Sequence, residues 1–285
     1  MKFRSFCNRL IRQPPCFALR YSPLGRPGGL MLGPLLASAA IVVVACWAGR
    51  ASAQGASSQP EPSSTWGLGV AAAVVQQPYR GVERKTTGLP LVSYDGTWVN
   101  VIGPRIDLKL ASADSVSFRL RARYAGDGYD ASDSSFLTGM QDRKSSLWLG
   151  GAAIWRTDIA TFTGELLGDA LGNSKGMRLK LQADRRFPTG SFGFTPRVAT
   201  EWLDRKYVNY YYGVRPDEVL ADRALYEGAS TANLEVGVRA DYSPSKQHSL
   251  FVDLGTTRFG KGIKDSPLVE RTGQTTVSAG YLYRF

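Results

Sequence analysis

The sequence predicts an all-β chain that folds as a transmembrane antiparallel β-barrel of about twelve strands. Three observations lead there: a period of two in the apolar residues, connections that alternate between short and long, and a final strand ending on aromatic side chains. Successive side chains of a strand point to opposite faces, so a period of two gives each strand one apolar and one polar face. Over Met177-Arg178-Leu179-Lys180-Leu181-Gln182-Ala183-Asp184 every odd position is apolar and every even one polar. The same alternation runs through Val116, Phe118, Leu120, Ala122 and Tyr124, through Phe192 to Trp202, and through Ala232 to Tyr242.

In chain order, segments of this kind cover 66–76, 88–95, 97–102, 104–110, 115–125, 145–156, 158–169, 175–186, 191–203, 231–242, 247–258 and 275–285. Short turns are expected at Asp95-Gly96, at Ala111 to Asp114, at Arg156-Thr157, at Pro188 to Ser191 and at Ser243 to Gln247. Longer connections are expected at 77–87, 126–144, 170–174, 204–230 and 259–274. With twelve strands the two kinds of connection fall at opposite ends, provided the Gly103-Pro104 turn lies on the long-loop side. Merging 97–110 into one strand would put 126–144 among the short turns, so twelve is preferred.

A soluble β-sandwich alternates in the same way, with its apolar faces inward rather than toward lipid. Strands of about ten residues, an even count, asymmetric loops and aromatics near strand ends (Trp66, Trp148, Trp155, Trp202, Tyr242) favour the barrel. Lipid also forbids an open sheet edge, so such a sheet must close.

Charge and cysteine settle what the leader is. The chain has 285 residues with 35 Lys and Arg against 24 Asp and Glu, net +11 and a pI near 9.7. Seven of the basic residues and no acidic ones lie in 1–53, leaving 28 against 24 beyond it. The basicity therefore belongs to the leader, and a nucleic-acid partner is not expected. Basic residues up to Arg26, an apolar run from Leu30 to Ala48 and then Ala51-Ser52-Ala53 make 1–53 a secretory signal peptide. A retained anchor and a lipoprotein signal ending at Cys46 compete with it; Gly33 and Pro34 argue against the anchor, and Val43 against the lipoprotein signal. Residues 54–65 read as a flexible tether and 66–285 as the barrel. All three cysteines (Cys7, Cys16 and Cys46) are in the leader, so the remainder has no thiol chemistry.

The last strand places Tyr281, Tyr283 and Phe285 on alternate positions, a pattern resembling the terminal assembly signal of outer-membrane barrels. With the export signal, it places the chain in a Gram-negative cell outer membrane, among lipid and in contact with the barrel-assembly machinery. Gly88-Leu89-Pro90-Leu91-Val92-Ser93-Tyr94-Asp95-Gly96, the segment Trp202 to Val214 with its Tyr-Tyr-Gly-Val element, and Ser266-Pro267-Leu268-Val269 resemble the MipA/OmpV family of outer-membrane proteins. The resemblance covers most of 66–285. It implies a non-enzymatic scaffold linked to a lytic transglycosylase and a murein synthase. A small-solute, anion-preferring channel and a surface adhesin are the alternatives.

No catalytic constellation is visible, and neither a cofactor nor a metal is expected. The single histidine, His248, neighbours Ser245 and Ser249 in one turn, which does not hold nucleophile and base in register. Asp127, Asp130 and Asp133 are spaced like part of a calcium loop but lack the downstream Glu and the flanking helices. Two clusters remain as candidate sites. Arg119, Arg121 and Arg123 share one lumenal strand face, either paired with lumenal carboxylates or lining an anion path. Tyr207, Tyr210, Tyr211 and Tyr212 form either a protein-contact cluster or an aromatic group folding the loop over the barrel mouth.

The terminal strand yields a direct test. Burying one Phe contributes about 1–3 kcal/mol, little against a whole barrel, so Phe285 should matter for assembly more than for stability. Deleting Phe285 is expected to lower outer-membrane levels strongly in cells while refolding into detergent in vitro survives. Normal levels in cells would show that this end is not an assembly signal.

Overall fold

The computed structural model describes residues 64–82 and 84–285; the expected signal peptide and nearly all of the expected tether lie outside them. The strands are β1 (Thr65–Gln76), β2 (Arg84–Asp95), β3 (Val99–Ile102), β4 (Arg105–Ala113), β5 (Val116–Ala125), β6 (Ser146–Arg156), β7 (Thr161–Asp169), β8 (Met177–Asp184), β9 (Phe187–Thr189), β10 (Phe192–Leu203), β11 (Thr231–Tyr242), β12 (His248–Arg258) and β13 (Gly273–Arg284). Each pairs antiparallel with its chain neighbour, except that β8 passes directly to β10 and β9 forms a three-residue extension of the β10 hairpin. Twelve strands close the ring. The seam pairs β1 with β13 from Gly67 opposite Arg284 to Val75 opposite Thr276. Among the described residues no helix is long and apolar enough to cross a membrane.

The alternation works as the period of two requires. Leu68, Val70, Leu120, Leu181, Val236 and Val252 are exposed on the outer face, with no protein layer over them. Their neighbours Asp107, Arg121, Glu165 and Arg178 point inward and are buried. A soluble sandwich would show the reverse, because exposing that much apolar surface to water is unfavourable by about 25 cal/mol per Å². The outer face is therefore the lipid face.

The connections fall at two ends. Residues 96–98, 114–115, 157–160, 185–191 and 243–247 sit at the short-turn end; 77–82, 126–145, 170–176, 204–230 and 259–272 sit at the long-loop end. Gly103 supplies the left-handed φ of 54° that its turn needs. That turn points toward the long-loop end as expected, but it does not reach it. β3 has only four residues and pairs with just Ser93 to Asp95 of β2, so the β3–β4 hairpin stops partway up the wall. The long loops also carry helices that the strand pattern did not announce: α1 (Arg205–Tyr212), α2 (Lys261–Lys264) and three single 3₁₀ turns.

Closure at the β1–β13 seam gives the expectation that the protein refolded in detergent runs as a compact band when unheated and shifts on boiling. A single mobility at both temperatures would contradict a closed barrel.

Candidate functional site

The chemistry of this chain is concentrated in the lumen and in the loop cap above it. Arg121 donates from Nε and Nη2 to the two carboxylate oxygens of Asp107 at 2.7 and 2.8 Å, and from Nη1 to Glu165 at 2.6 Å. Arg119 reaches Asp107 at 3.2 Å, Arg105 lies 3.7 Å from it, and Arg123 meets Glu165 at 3.1 Å. Asp107 is 0% exposed. Four guanidinium groups thus share two carboxylates, and Nε of Arg119 and Nε and Nη2 of Arg123 are buried without a partner. The expected basic cluster Arg119, Arg121 and Arg123 is therefore ion-paired, and it retains a positive excess. It lines a cavity of about 840 Å³ together with Lys109, Lys180 and Arg239.

A second network lies across the lumen. Lys180 pairs with Glu235 at 2.6 Å, and Arg197 joins Glu235 at 2.8 Å to Asp253 at 2.8 and 2.9 Å. Arg239 pairs with Asp241 at 2.9 Å and stacks on Phe251 at 4.0 Å. Several of these pairs jump a strand. Between Arg121 on β5 and Glu165 on β7, strand β6 offers only Gly150 and Ala152. Between Arg197 on β10 and Asp253 on β12, strand β11 offers Gly237, where an added Cβ would lie 2.6 Å from the Arg197 Cζ. The small residues are what let long cations reach over a neighbour.

The cap packs onto lumen-facing residues near the strand tops. Trp148, Leu167 and Leu203 form one buried cluster with Tyr79, Tyr129, Tyr207, Val208, Tyr211, Tyr212, Ile263 and Leu268 from the long loops. Helix α1 starts because Asp204 accepts from the Tyr207 N–H at 2.8 Å, satisfying one of its free donors. It then turns Tyr207, Val208, Tyr211 and Tyr212 inward. Of the two expectations for the tyrosine cluster, the aromatic fold over the barrel mouth is the one found. Three of the four rings are buried, and the fourth, Tyr210, is half-buried and accepts from Lys144 N–H at 2.9 Å. Burial pushes the hydroxyls of Tyr207, Tyr211 and Tyr212 well above their ordinary value, and that of Tyr129 up to about 12.

A buried ion pair fastens the cap. Arg143 Nη2 donates to both carboxylate oxygens of Glu218 at 2.8 and 2.7 Å, and Arg223 donates to the carbonyls of Glu218, Phe136 and Thr138. Burial alone would raise the Glu218 carboxyl, but Arg143 and the backbone N–H groups of Gln141 and Arg215 hold it below its usual value. Sequence reasoning missed Arg143, Glu218 and Arg223, since a charged residue in a long loop ordinarily faces water.

The remaining candidates are dispersed. The His248 ring nitrogen Nδ1 lies 2.7 Å from the Tyr281 hydroxyl, edge-on to Tyr283, in the aromatic band at the short-turn end. Asp127 pairs with Arg178 at 3.0 Å, while Asp130 and Asp133 fold a 3₁₀ turn; among the described residues no group of three or more His, Cys, Asp or Glu could hold a metal ion. Tyr281 and Tyr283 are half-buried, and Phe285, whose ring packs on Tyr283, is exposed.

A ring of strands closed at the β1–β13 seam, apolar outside and ion-paired inside, defines an outer-membrane β-barrel. Residues 68–285 match the profile of the family described as MltA-interacting protein MipA, and the chain belongs to that family. It is 26% identical over 249 residues to the MltA-interacting protein of Escherichia coli, covering 86% of this chain and 96% of that one. It is 26% identical over 161 residues to outer membrane protein OmpV of Vibrio cholerae, covering 56% and 63%. Its fold resembles an outer membrane channel from Pseudomonas putida at a TM-score of 0.40 and 13% identity, covering 80% and 97%. The protein is localised to the Gram-negative outer membrane.

Two predictions follow from the packing. Gly237→Val should clash with Arg197 and lower the stability of the refolded barrel by about 1–3 kcal/mol. Gly151→Val, where nothing lies within 4 Å, should leave it unchanged; equal thermal midpoints for the two would contradict the strand-jumping pair. Because the folded Glu218 carboxyl is held low, its contribution is complete above the ordinary Glu value of about 4.3 and is lost as pH falls further. Acidification to about pH 3 should therefore loosen the cap, read as faster proteolysis within 204–230. Glu218→Ala should do so at neutral pH by stranding Arg143, at a local cost of about 3–5 kcal/mol.

Proposed function

We propose that this barrel is a non-enzymatic interaction protein, holding a lytic murein transglycosylase, and with it a murein synthase, at the outer membrane. The long loops face outward in this reading, and both termini and the short turns face the periplasm, where murein enzymes work. The observation that carries it is the lumen: it is crossed by fixed ion pairs beneath a cap of buried tyrosines. Narrow barrels are filled by their own side chains, and a wide aqueous channel takes about sixteen strands. A barrel filled in this way is suited to act as a platform. The name of the Escherichia coli relative, an MltA-interacting protein, points the same way.

One observation favours a second reading, an anion-preferring passage. Four guanidinium groups against two carboxylates leave an excess of positive charge beside a cavity of about 840 Å³. Small anions would find charge-assisted partners there.

Tagged protein solubilised from membranes should recover a lytic transglycosylase, and planar bilayers containing it should show no steady conductance steps. Anion-selective steps abolished by changing Arg119, Arg121 and Arg123 to Ser, with no murein enzyme recovered, would favour the passage instead. Protease added to intact cells should cut within 126–145 or 204–230 and spare 243–247; the opposite pattern would overturn the orientation.

A further inference from the structure

The wall of the barrel is not uniformly closed. Because β3 pairs only with Ser93 to Asp95, the long-loop half of β2, from Arg84 to Val92, has β1 on one side and no strand on the other. The main-chain groups of Val92 face the open side, where its carbonyl accepts from Gly103 N–H at 2.9 Å. Alternate residues of a strand direct their main-chain groups the same way, so Arg84, Thr86, Gly88 and Pro90 also present theirs to the opening. Pro90 has no N–H to leave unpaired, the one position in a strand edge where proline is tolerated. The far side of the opening is Tyr124, whose N–H donates to the Pro104 carbonyl at 3.0 Å, and the Gly126–Gly128 segment above it.

Three further observations concern the same place. From Arg84 to Pro90 every β2 residue is exposed on both faces, a run of seven, whereas its partner β1 alternates. On the outer face, Thr86 and Arg84 stand beside Val74 and Gln76 of β1, so the lipid-facing row that is apolar lower down becomes polar at the opening. Behind it lies a cavity of about 540 Å³ lined by Val75, Lys85, Leu89, Pro104, Tyr124 and Asp127, the last with its carboxylate held by Arg178 at 3.0 Å. Pro104 also lines the basic lumenal cavity, so the two adjoin.

Unpaired main-chain groups cannot face hydrocarbon, so what fills this opening must bring polar atoms with it. Exposed Leu89 beside it and the apolar row of β1 below it match an occupant that also carries an apolar chain. We infer that the opening between β2 and β5 is a lateral binding site for a single-chain anionic amphiphile entering from the outer leaflet. The anionic head is met by Arg84 and Lys85 at the rim and by the exposed main-chain donors of Thr86 and Gly88. The chain lies along Leu89, Ile102 and Pro104 toward the lumen. The volume is in the range of small-molecule sites, about 300–1,000 Å³, and too small for a lipid with several chains. The leaflet assignment rests on the orientation proposed above, which the protease experiment reads separately.

The test uses the barrel in phospholipid nanodiscs and palmitate carrying a diazirine near its chain end. Photolabel should fall on peptides containing Leu89 or Pro104 to Tyr124, saturate, and be competed by unlabelled palmitate. Leu89→Trp, which fills the cavity, should abolish it, and Lys85→Gln should weaken binding about fivefold. Both variants are checked for the heat-dependent mobility shift, so loss of folding is not read as loss of binding. Label spread evenly over the outer faces of all strands, or unaffected by Leu89→Trp, would overturn the site. Equal labelling by the matching fatty alcohol would overturn the anionic head. A photoreactive residue placed at Gly88 that captured a polypeptide in cells, rather than a lipid, would mean that an added strand occupies the edge instead.

Discussion

In hydrocarbon a backbone N–H or C=O without a partner costs several kcal/mol, so the structure depends on where strand pairing is complete. The seam between β1 and β13 completes it, joining the two ends of the sheet over nine residue pairs. Everything else is arranged inside that ring: apolar side chains toward lipid, ionised ones toward the lumen. Closure also explains why the lumen can be so charged. The wall removes it from lipid, and each buried carboxylate there has at least one guanidinium or ammonium partner, as a desolvated charge requires.

Most of this was legible in the sequence because a strand's two faces are written in alternate residues. Met177 to Asp184 and Thr231 to Tyr242 show which side chains face in without any knowledge of neighbours. That lumenal charges would pair was also legible; which ones pair was not. Arg121 reaches Glu165 because Gly150 and Ala152 intervene, and such a contact exists only once three strands are in register. Gly103-Pro104 announced a turn, yet nothing local to it says how high in the wall the turn sits. That height depends on β2 extending nine residues beyond its last β3 partner.

The cap was less legible still. Its tyrosines stood out by number, but a cluster of aromatics in a loop is equally suited to a partner protein or to the loop's own core. Burial decides between these, and it comes from residues spread across four connections and three strand ends. Asp204 followed by a Tyr-rich run ending at Gly213 carried a helix-start signal and a helix-stop signal, both readable in hindsight. Arg143, Glu218 and Arg223 carried none. Their roles exist only through one another.

Amide hydrogen exchange in lipid nanodiscs tests the closed ring most directly, since it reads strand pairing residue by residue. The account predicts slow exchange on both sides of the seam, across Val70–Val74 and Val277–Tyr281, as slow as in β10 and β11. The amides of Thr86 and Gly88, at the open edge of β2, should exchange faster than those seam residues. Seam amides exchanging at loop rates would contradict a barrel closed by β1 and β13.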